Sequence, residues 1–491
     1  MNTPLRKVGV AMLAMVALLL VNTTYVQFVK ADDYRTDGRN QRVLLEEYSR
    51  QRGQIVAAEN GQVLAGVEPA NDKYQFTRTY PNGPMYAPVT GYYSIIYGAT
   101  GIELAMDEVL NGSDPRLLVR RLSDMVTGRD PRGGNVQLTM RPSVQEAAYK
   151  AMTGKGFHGS VVALDPKTGD ILAMVSTPSY DPNRLATHNS KEVRSAWAEL
   201  TDKNGDKPML NRAIRETYPP GSTFKLVTTA AALENGAGPD TPVTRAANVQ
   251  LPGTSNTDLE NFAHQPCPGG TLKDALAYSC NTAFAELADQ LGADKLRETA
   301  TNFGIGQQDL SVPMPVAASG LGDLSSSAKL YQSGIGQRDV RLTPLQDALL
   351  SATVANGGVT MKPQLVKALL APDLTPMEEF TPEELTGDPA LSAANAEVLK
   401  DMMLASEDNT KGGGKRSGLE IASKTGTAEH GVNEKQTPPH AWYTAFAPAD
   451  DPQIAVAVIV ESGGDRGLAA TGGSVAASIG RATINAAVGG G

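Results

Sequence analysis

A serine and a lysine three positions apart, Ser222 and Lys225, are the residues whose types and spacing best suit nucleophilic chemistry. If Ser222 lies in the first turn of a helix, Lys225 follows on the same face and its amine can reach the hydroxyl. A serine hydroxyl needs a base to take its proton, and a lysine is a base only where its surroundings keep it partly neutral. The largely apolar residues 226–233 predict a buried helix that would provide such surroundings, and Pro-Pro-Gly at 219–221 predicts a sharp turn into it.

The same spacing occurs again at Ser326 and Lys329, in a serine-rich stretch. No Pro-Gly pair precedes this copy, and no apolar helix is predicted behind it. The spacing alone is therefore a weak signal, and we interpret the second copy as a loop.

Ser279 and Asn281 form a second polar group, in a region of predicted helices and turns. A hydroxyl both donates and accepts hydrogen bonds, so Ser279 can relay a proton, and the Asn281 amide can hold the peptide group of a substrate. This short pattern also arises by chance, and a helix cap explains it without any chemistry.

Residues 424–427 form a third polar group, on a predicted strand. Lys424 offers a positive charge, and Thr425 and Thr427 offer hydroxyls. Together with the Thr427 N–H these groups suit an anionic substrate with a polarised carbonyl. Gly426 weakens strand packing, and we interpret it as the place where the backbone of a ligand approaches closely.

The length and charge of the chain restrict its class. A chain of 491 residues is too long for one ordinary core and predicts two or three domains. The formal net charge of −9 leaves no basic surface for nucleic acid, so we expect no nucleic-acid binding.

The N-terminus carries an apolar run over residues 8–29, preceded by Arg6 and Lys7. This run approaches the about 20 residues needed to cross a bilayer. We predict an uncleaved single-pass membrane anchor, with the N-terminus cytoplasmic and the body of the protein extracytoplasmic. A signal peptide cleaved near residues 29–31 is the alternative, and it leads to the same location for the body of the protein.

The chain has two cysteines, Cys267 and Cys280. In an oxidising compartment they could close a small loop with a disulfide, which we prefer over a pair of buried thiols. A disulfide would border the second polar group, because Cys280 lies between Ser279 and Asn281.

The pattern of elements predicts an α+β fold. Residues 32–135 are polar and rich in turns, with short strand-like segments at 54–58 and 74–78, and suggest a structural or docking domain. From residue 136 onward strands come first, then a long helical block, then strands and a last helix, so we expect a sheet assembled from both ends of the domain. The predicted strands are 136–140, 159–164, 170–175, 423–428, 440–447 and 454–461, and the predicted helices outside the block at 210–300 are 143–152, 344–356, 395–406 and 474–487.

The order Ser222-x-x-Lys225, Ser279-x-Asn281, Lys424-Thr-Gly426 is that of penicillin-binding proteins and serine β-lactamases. Further segments make the chain resemble a class B penicillin-binding protein over nearly its whole length: Arg52-Gly53, Gly221-Ser-Thr-Phe-Lys225, Ser333-Gly-Ile-Gly-Gln337, Thr343-Pro-Leu-Gln346 and Trp442-Tyr443. The resemblance implies an anchor (1–31), an elongated pedestal domain (32–135) and a transpeptidase domain (136–491). It also implies that the last of these combines a helical subdomain with an antiparallel sheet flanked by helices.

The activity implied by this resemblance is a peptidoglycan D,D-transpeptidase that cross-links stem peptides during wall synthesis and septation. Ser222 would attack the carbonyl of the penultimate D-alanine and form an acyl-enzyme, with Lys225 as the base. Ser279 and Lys424 would pass the proton to the leaving amine, and Asn281 would hold the acyl amide and position Lys225.

The resemblance also assigns binding roles. Thr425 and Thr427, with Gly426 between them, would meet the terminal carboxylate together with Lys424. The N–H groups of Ser222 and Thr427 would form the oxyanion hole. β-Lactam antibiotics would acylate Ser222, divisome or wall-synthesis membrane proteins would be partners, and neither a metal nor an organic cofactor is implied.

Other activities remain open at the level of the sequence. Carboxypeptidase or endopeptidase activity would result if water replaced the acceptor amine. A β-lactamase would share the motifs but would have no use for residues 32–135, and a non-catalytic divisome scaffold would not need an intact serine and lysine.

The polar segment 430–439 follows the third group, at the expected edge of the cleft. We interpret it as a substrate-selecting or a flexible loop. His430 and His440 are interpreted as loop and strand residues without an acid–base role.

Overall fold

The computed structural model of the chain describes residues 2–30, 48–117, 132–431 and 436–489. Its first helix, α1 (Asn2–Thr24), continues as a π-helical turn over Tyr25–Val29. The segment Pro4–Val29 is long and apolar enough to cross a membrane, and its side chains are exposed. One N-terminal apolar helix is therefore present, and it could serve as a single-pass membrane anchor.

A six-stranded sheet organises the part of the chain after this helix, although residues 31–47 and 118–131 lie outside the described residues. Its order is β12-β11-β6-β1-β2-β3, and β1 pairs with β6 in parallel while the other pairs are antiparallel. The strands are β1 (Ile55–Ala57), β2 (Val63–Pro69), β3 (Phe76–Thr79), β6 (Asn135–Leu138), β11 (Val366–Leu370) and β12 (Pro376–Glu379). Strands from far along the chain thus complete the sheet that begins near residue 55. Between β3 and β6 lie α2 (Gly83–Thr90), β4 (Tyr93–Ser94), β5 (Gly98–Ala99), α3 (Gly101–Ala105) and α4 (Asp107–Leu110).

A buried ion cluster supports this sheet. The Glu103 carboxylate is fully buried and accepts hydrogen bonds from the Arg52 Nε at 2.7 Å and the Arg78 Nε at 2.6 Å. Burial raises the pKa of Glu103, but the charges of Arg78 and Arg52 outweigh burial and hold that pKa below its ordinary value. The buried carboxylate is tolerated because two guanidinium groups compensate its charge.

A five-stranded antiparallel sheet forms the centre of the second half of the protein, in the order β13-β14-β15-β7-β8. Its strands are β7 (Gly159–Leu164), β8 (Ile171–Thr177), β13 (Ala422–Ala428), β14 (His440–Ala447) and β15 (Ile454–Val460). β7 pairs directly with β15, so the sheet is assembled from both ends of the domain, as predicted. β15 is buried along its whole length because helices cover both faces of the sheet.

Two helices pack on one face of this sheet, α5 (Pro142–Thr153) and α16 (Ala477–Val488), which follows a π-helical turn at Gly472–Ala476. Their cluster contains the alternate strand residues Val161, Ala163, Val456 and Val458. α14 (Pro344–Ala355) packs on the other face and is buried over most of its length. The sheet residues on that side belong to the larger hydrophobic core.

The remaining elements form a helical block, part of which packs against α14. Its elements are α6 (Asn183–Ala186), α7 (Ser190–Leu200), α8 (Arg212–Arg215), α9 (Lys225–Glu234), β9 (Asn248–Gln250), β10 (Asp258–Glu260), α10 (Leu272–Ala277), α11 (Asn281–Leu291), α12 (Ala293–Asn302), α13 (Ser327–Ser333) and α15 (Ala393–Asn409). The α+β fold class is therefore confirmed. One local prediction is wrong, because α13 is a helix at Ser326 and Lys329 where we expected a loop. The helix forms there despite its serine residues because it packs against α11.

Candidate active site

The turn that carries Ser222 is a 3-10 helix over Gly221–Phe224, which runs directly into α9. Gly221 has φ of 57°, and a Cβ atom there would stand 2.7 Å from the Thr427 carbonyl oxygen. Only glycine satisfies both conditions without strain. Ser222 is half-buried, whereas Thr223 and Lys225 are fully buried.

Strands β13 and β14 both pack against this turn. The Trp442 indole donates a hydrogen bond to the Pro219 carbonyl at 3.0 Å. A Cβ atom on Gly426 would stand 2.7 Å from the Pro220 carbonyl oxygen. The reason for a glycine in this strand is thus the protein's own turn, and our interpretation that it admits a ligand backbone is not needed to explain it.

The amine of Lys225 lies at the meeting point of the first two polar groups. It donates hydrogen bonds to the Ser279 carbonyl at 2.8 Å and to the Asn281 Oδ1 at 2.7 Å, and it lies 3.4 Å from the Ser279 Oγ. The Asn281 Nδ2 donates to the Glu260 carbonyl at 2.9 Å, which fixes the amide orientation. The structure therefore brings together residues that are more than fifty positions apart.

The amine of Lys424 approaches the same hydroxyl from β13. It lies 2.9 Å from the Ser279 Oγ and 2.9 Å from the Thr425 carbonyl oxygen. The Ser279 hydroxyl thus bridges two buried lysines. Ser279 itself stands between α10 and α11 with φ of 59°, a left-handed conformation that is uncommon for serine and concentrates at functional sites.

Burial changes the protonation of both lysines. It lowers the pKa of Lys424 to about 7. It lowers the pKa of Lys225 well below the ordinary value, and the nearby charge of Lys424 lowers it further. Removal from water disfavours an ammonium ion, and two ammonium ions joined through one hydroxyl repel each other. This environment therefore favours the neutral form of the Lys225 amine.

Ser222 and Lys225 do not form a hydrogen bond with each other in the described part of the chain, where the Lys225 bonds go to Ser279 and Asn281. A neutral amine has two N–H groups, and the two shorter bonds, to Ser279 and Asn281, use both. Its lone pair then remains available to accept a proton. Bonds of this kind often form only when substrate is present.

The remaining residues that the sequence predicted for the site, Thr425, Gly426 and Thr427, lie on β13. Thr425 and Thr427 are half-buried and alternate with the buried Lys424 and Gly426 along the strand. The Thr427 backbone packs beside Gly221, so the N–H groups of residues 222 and 427 belong to neighbouring segments.

Cys267 and Cys280 are joined by a disulfide, and both are buried. Cys280 immediately precedes α11, which begins with Asn281. The bond therefore connects the segment before α10 to the start of the helix that carries the Asn281 amide.

The segment 430–439 is described in part, because residues 432–435 lie outside the described residues. The His430 and His440 rings stack with their centroids 3.7 Å apart, and the Ser462 N–H donates to the His440 Nδ1 at 3.1 Å. Burial, with smaller contributions from His430 and Arg341, lowers the pKa of His440 to about 3.

Sequence reasoning missed Asp347. This residue is fully buried on α14, and its Oδ1 lies 2.6 Å from the Thr223 hydroxyl oxygen, within hydrogen-bond distance. The available signal was an acidic residue directly after Thr343-Pro-Leu-Gln346, in a helix whose other residues, apart from Gln346, are apolar or small.

Comparison with known families agrees with this geometry. Residues 159–485 match the penicillin binding protein transpeptidase domain, and residues 52–136 match the penicillin binding protein A dimerisation domain. The chain therefore belongs to the penicillin-binding protein transpeptidase family, and the predicted resemblance to a class B member is confirmed.

Similar proteins are found among the mycobacteria. The chain is 55% identical to the peptidoglycan D,D-transpeptidase PbpA of Mycolicibacterium smegmatis, over 99% of each chain, and 51% identical to PbpA of Mycobacterium tuberculosis, again over 99% of each. The structure of the ceftriaxone acyl-enzyme complex of M. tuberculosis penicillin-binding protein A superposes with a TM-score of 0.88. It is 51% identical and covers 90% of this chain and 100% of its own. Its penicillin G acyl-enzyme complex gives a TM-score of 0.85 at 50% identity, over 89% and 100% of the two chains.

Proposed function

We propose that Ser222 is the nucleophile with which this peptidoglycan D,D-transpeptidase cross-links stem peptides. The observation that carries the proposal is the hydroxyl of Ser279 held between two buried lysines beside the Ser222 turn. This arrangement supports proton transfer among groups that would be inert in water.

In the acylation step, the Ser222 Oγ attacks the carbonyl carbon of the penultimate D-alanine. Its proton passes to the neutral Lys225 amine, which becomes an ammonium ion. The C–N bond to the terminal D-alanine then breaks, and its nitrogen takes up a proton through Ser279, with Lys225 and Lys424 on either side of the relay. The short bonds of Lys225 to Ser279 and Asn281 support this role, because they stabilise the ammonium ion as it forms.

In the second step, the amine of a neighbouring stem peptide attacks the Ser222 ester. The ester C–O bond breaks and the new peptide bond forms. The attacking amine gives up a proton to the relay of Lys225, Ser279 and Lys424, and the serine oxygen takes up a proton from that relay. The same acyl-enzyme would release a shortened stem peptide if water attacked instead, so analysis of the products separates transpeptidase from carboxypeptidase activity.

The third polar group would bind the substrate. Lys424, Thr425 and Thr427 would meet the terminal carboxylate, with Gly426 between the two threonines, and the N–H groups of Ser222 and Thr427 would stabilise the oxyanion. The half-buried position of both threonines and the close packing of Gly221 on residue 427 support this assignment. Loss of one oxyanion donor would cost roughly 10²–10³ in rate.

We also propose that the enzyme faces the cell wall. We infer an anchor over 1–31, a pedestal domain over 32–135 and a transpeptidase domain over 136–491, with the catalytic part on the extracytoplasmic side. Peptidoglycan stem peptides and β-lactams would be its ligands, and divisome or wall-synthesis membrane proteins its partners. The apolar helix Pro4–Val29 supports the anchor.

Intact-mass measurement of the full chain in detergent, after incubation with penicillin G, tests the nucleophile. We expect one adduct, its loss in Ser222→Ala, and its retention in the matched variant Ser326→Ala. An adduct that persists in Ser222→Ala would overturn the assignment. Incubation with a stem pentapeptide and an acceptor amine should yield the cross-linked product and free D-alanine.

A further inference from the structure

Asp347 occupies a position that the proposed mechanism does not use. Its carboxyl group is fully buried beneath the turn that carries Ser222, and its Oδ1 lies 2.6 Å from the Thr223 Oγ1. Its Oδ2 is also buried and has no hydrogen-bond partner among the described residues. A buried carboxylate with one bonded oxygen is costly, whereas a neutral carboxylic acid there is much less so.

The main chain of Asp347 contacts the other side of the site. The Thr444 hydroxyl lies 3.1 Å from the Asp347 carbonyl oxygen, and Thr444 pairs across the sheet with Lys424. One residue of α14 thus connects the nucleophile turn to the strand pair that carries the third polar group.

The Thr223 hydroxyl stands between two acceptors but has one proton. It lies 2.6 Å from the Asp347 Oδ1 and 3.1 Å from the Pro220 carbonyl oxygen. If Asp347 is ionised, Thr223 must donate to it, and the Pro220 carbonyl loses this donor. If Asp347 is protonated, the acid donates to Thr223, and Thr223 donates to Pro220.

We propose that Asp347 is a positioning residue for Ser222: as a neutral carboxylic acid it directs the Thr223 hydroxyl onto the Pro220 carbonyl and so fixes the nucleophile turn. The proposal rests on the proposed role of Ser222. The Pro220 carbonyl is a sensitive point of that turn, because it packs where a side chain on Gly426 would otherwise stand. A small displacement there moves Ser222 relative to β13, and acylation depends steeply on such geometry.

The surroundings of Asp347 favour the neutral form. Burial raises its pKa to about 7, although the Thr223 hydrogen bond acts in the opposite direction. Among the described residues, the side chains that form hydrogen bonds with Asp347 are Thr223 from the turn and Thr444 from β14, and neither titrates. Within the described residues no charged side chain contributes to this shift in pKa. The titrating groups of the proposed mechanism, Lys225 and Lys424, are also buried.

Asp347→Asn tests the proposal, because its amide donates to Thr223 permanently and so imitates the protonated acid. The second-order rate constant for acylation by a fluorescent penicillin is measured from pH 5 to pH 9 for this variant and for the wild type. We expect equal rates at pH 5 to 6 and a variant-to-wild-type ratio that rises to about tenfold above pH 8, the usual weight of one hydrogen bond. Titration of Lys225 and Lys424 cancels in this ratio, so a ratio that stays constant across the range would overturn the proposal.

A second pair of variants keeps the test decisive if Asp347→Asn does not fold. Thr223→Val removes the hydroxyl and should lower acylation about tenfold at pH 6, whereas Thr223→Ser should restore it. Thr353→Val is the matched control, since Thr353 is a buried threonine of α14 bonded to Thr360 at 3.0 Å. It should lower the melting temperature but not the acylation rate. Equal acylation by the Val and Ser variants of Thr223 would contradict the proposal.

Thermal melting checks the protonation state without any chemistry at Ser222. The folded state holds a proton on Asp347 between its ordinary pKa of 3.8 and the raised value of about 7, and the unfolded state does not. The contribution of this group to stability therefore falls as pH rises through that window. The melting temperature of Asp347→Asn relative to wild type should rise from pH 5 to pH 8, and a flat difference would contradict a neutral acid. This result also holds in a Ser222→Ala background, so failure of the nucleophile assignment is recognised separately.

Discussion

Two segments of this protein have the same Ser-x-x-Lys spacing and opposite surroundings. Lys225 is fully buried and its amine contacts Ser279 and Asn281, whereas the Lys329 side chain is 24% exposed. Lys329 forms an ion pair with Asp323 and lies 3.0 Å from the Ser325 hydroxyl. The same two residue types thus belong to a buried polar cluster in one case and to a partly exposed ion pair in the other.

The difference lies in what packs around each serine. At the first site Gly221 lets β13 approach within contact distance, and the second lysine of the site, Lys424, arrives on that strand. At the second site Ser325 precedes Ser326, and α13 ends after Ser333. The spacing therefore determines which side chains share a face. Burial and a second cation determine how far the pKa of the lysine is lowered.

The largest expected effect is at the serines. Ser222→Ala should abolish covalent labelling by penicillin, because it removes the hydroxyl that we propose as the nucleophile. Ser326→Ala should be labelled at the wild-type rate. Fluorescent labelling on a gel measures both, and reduced labelling of a folded Ser326→Ala protein would remove the distinction between the two copies.

Substitution of the lysines should have the next largest effect. Lys225→Gln removes the proton acceptor and should slow acylation by roughly 10²–10⁴, the usual contribution of a positioned base. Lys329→Gln should leave the acylation rate and the melting temperature nearly unchanged, since ion pairs at the protein surface contribute little. Stopped-flow labelling gives the rates, and near-normal acylation by Lys225→Gln would assign the base to another residue.

Substitution of the residue before Ser222 or Ser326 should show an effect of intermediate size. Gly221→Ala combines a left-handed backbone with an overlap onto the Thr427 carbonyl, so we expect a loss of about 1–3 kcal/mol in stability and slower acylation. Ser325→Ala should change neither property beyond about 0.5 kcal/mol. Thermal melts with labelling rates compare the two, and a tolerated Gly221→Ala would show that the turn can move away from β13.

The smallest expected effect is a displacement of the pH profile. Acylation requires neutral Lys225, so the rate should fall as pH drops through the pKa of that amine. Burial lowers this pKa, and the positive charge of Lys424 lowers it further. Lys424→Gln removes that charge, so the pKa rises and the acidic limb moves to higher pH.

The pH at which the acidic limb falls does not depend on how much of the rate Lys424→Gln loses overall. Lys329→Gln is the control. An acidic limb that stays in place in Lys424→Gln would show that burial alone sets the Lys225 pKa.

Much of the fold followed from local patterns. Alternating or continuous apolar segments gave the five strands of the central sheet within about two residues, and Pro344 marked the start of α14. The helix at Ser327–Ser333 was missed because a short serine-rich segment has weak intrinsic helix propensity, and its packing against α11 decides the outcome. The strands β11 and β12 could not be assigned to the first sheet, since pairing over such distances leaves no local signal.

The candidate site, like the fold, was predicted only in part. The three polar groups were identified by residue type and order. Asp347 was not, because a buried acid bonded to Thr223 from 124 positions away looks like any helical aspartate in the sequence. The close approach of the Pro220 carbonyl to Gly426 was not predicted either, because these two residues come from segments far apart in the chain.

The sequence by itself determined the family, the apolar N-terminal segment and the order of the residues suited to acyl transfer, because these depend on residue types and short spacings. Only the tertiary structure decided that Lys225 and Lys424 share the hydroxyl of Ser279, and that both lose water. The pKa of an amine depends on its solvation and on charges a few ångströms away. Those neighbours come from segments far apart in the chain, so only packing brings them together.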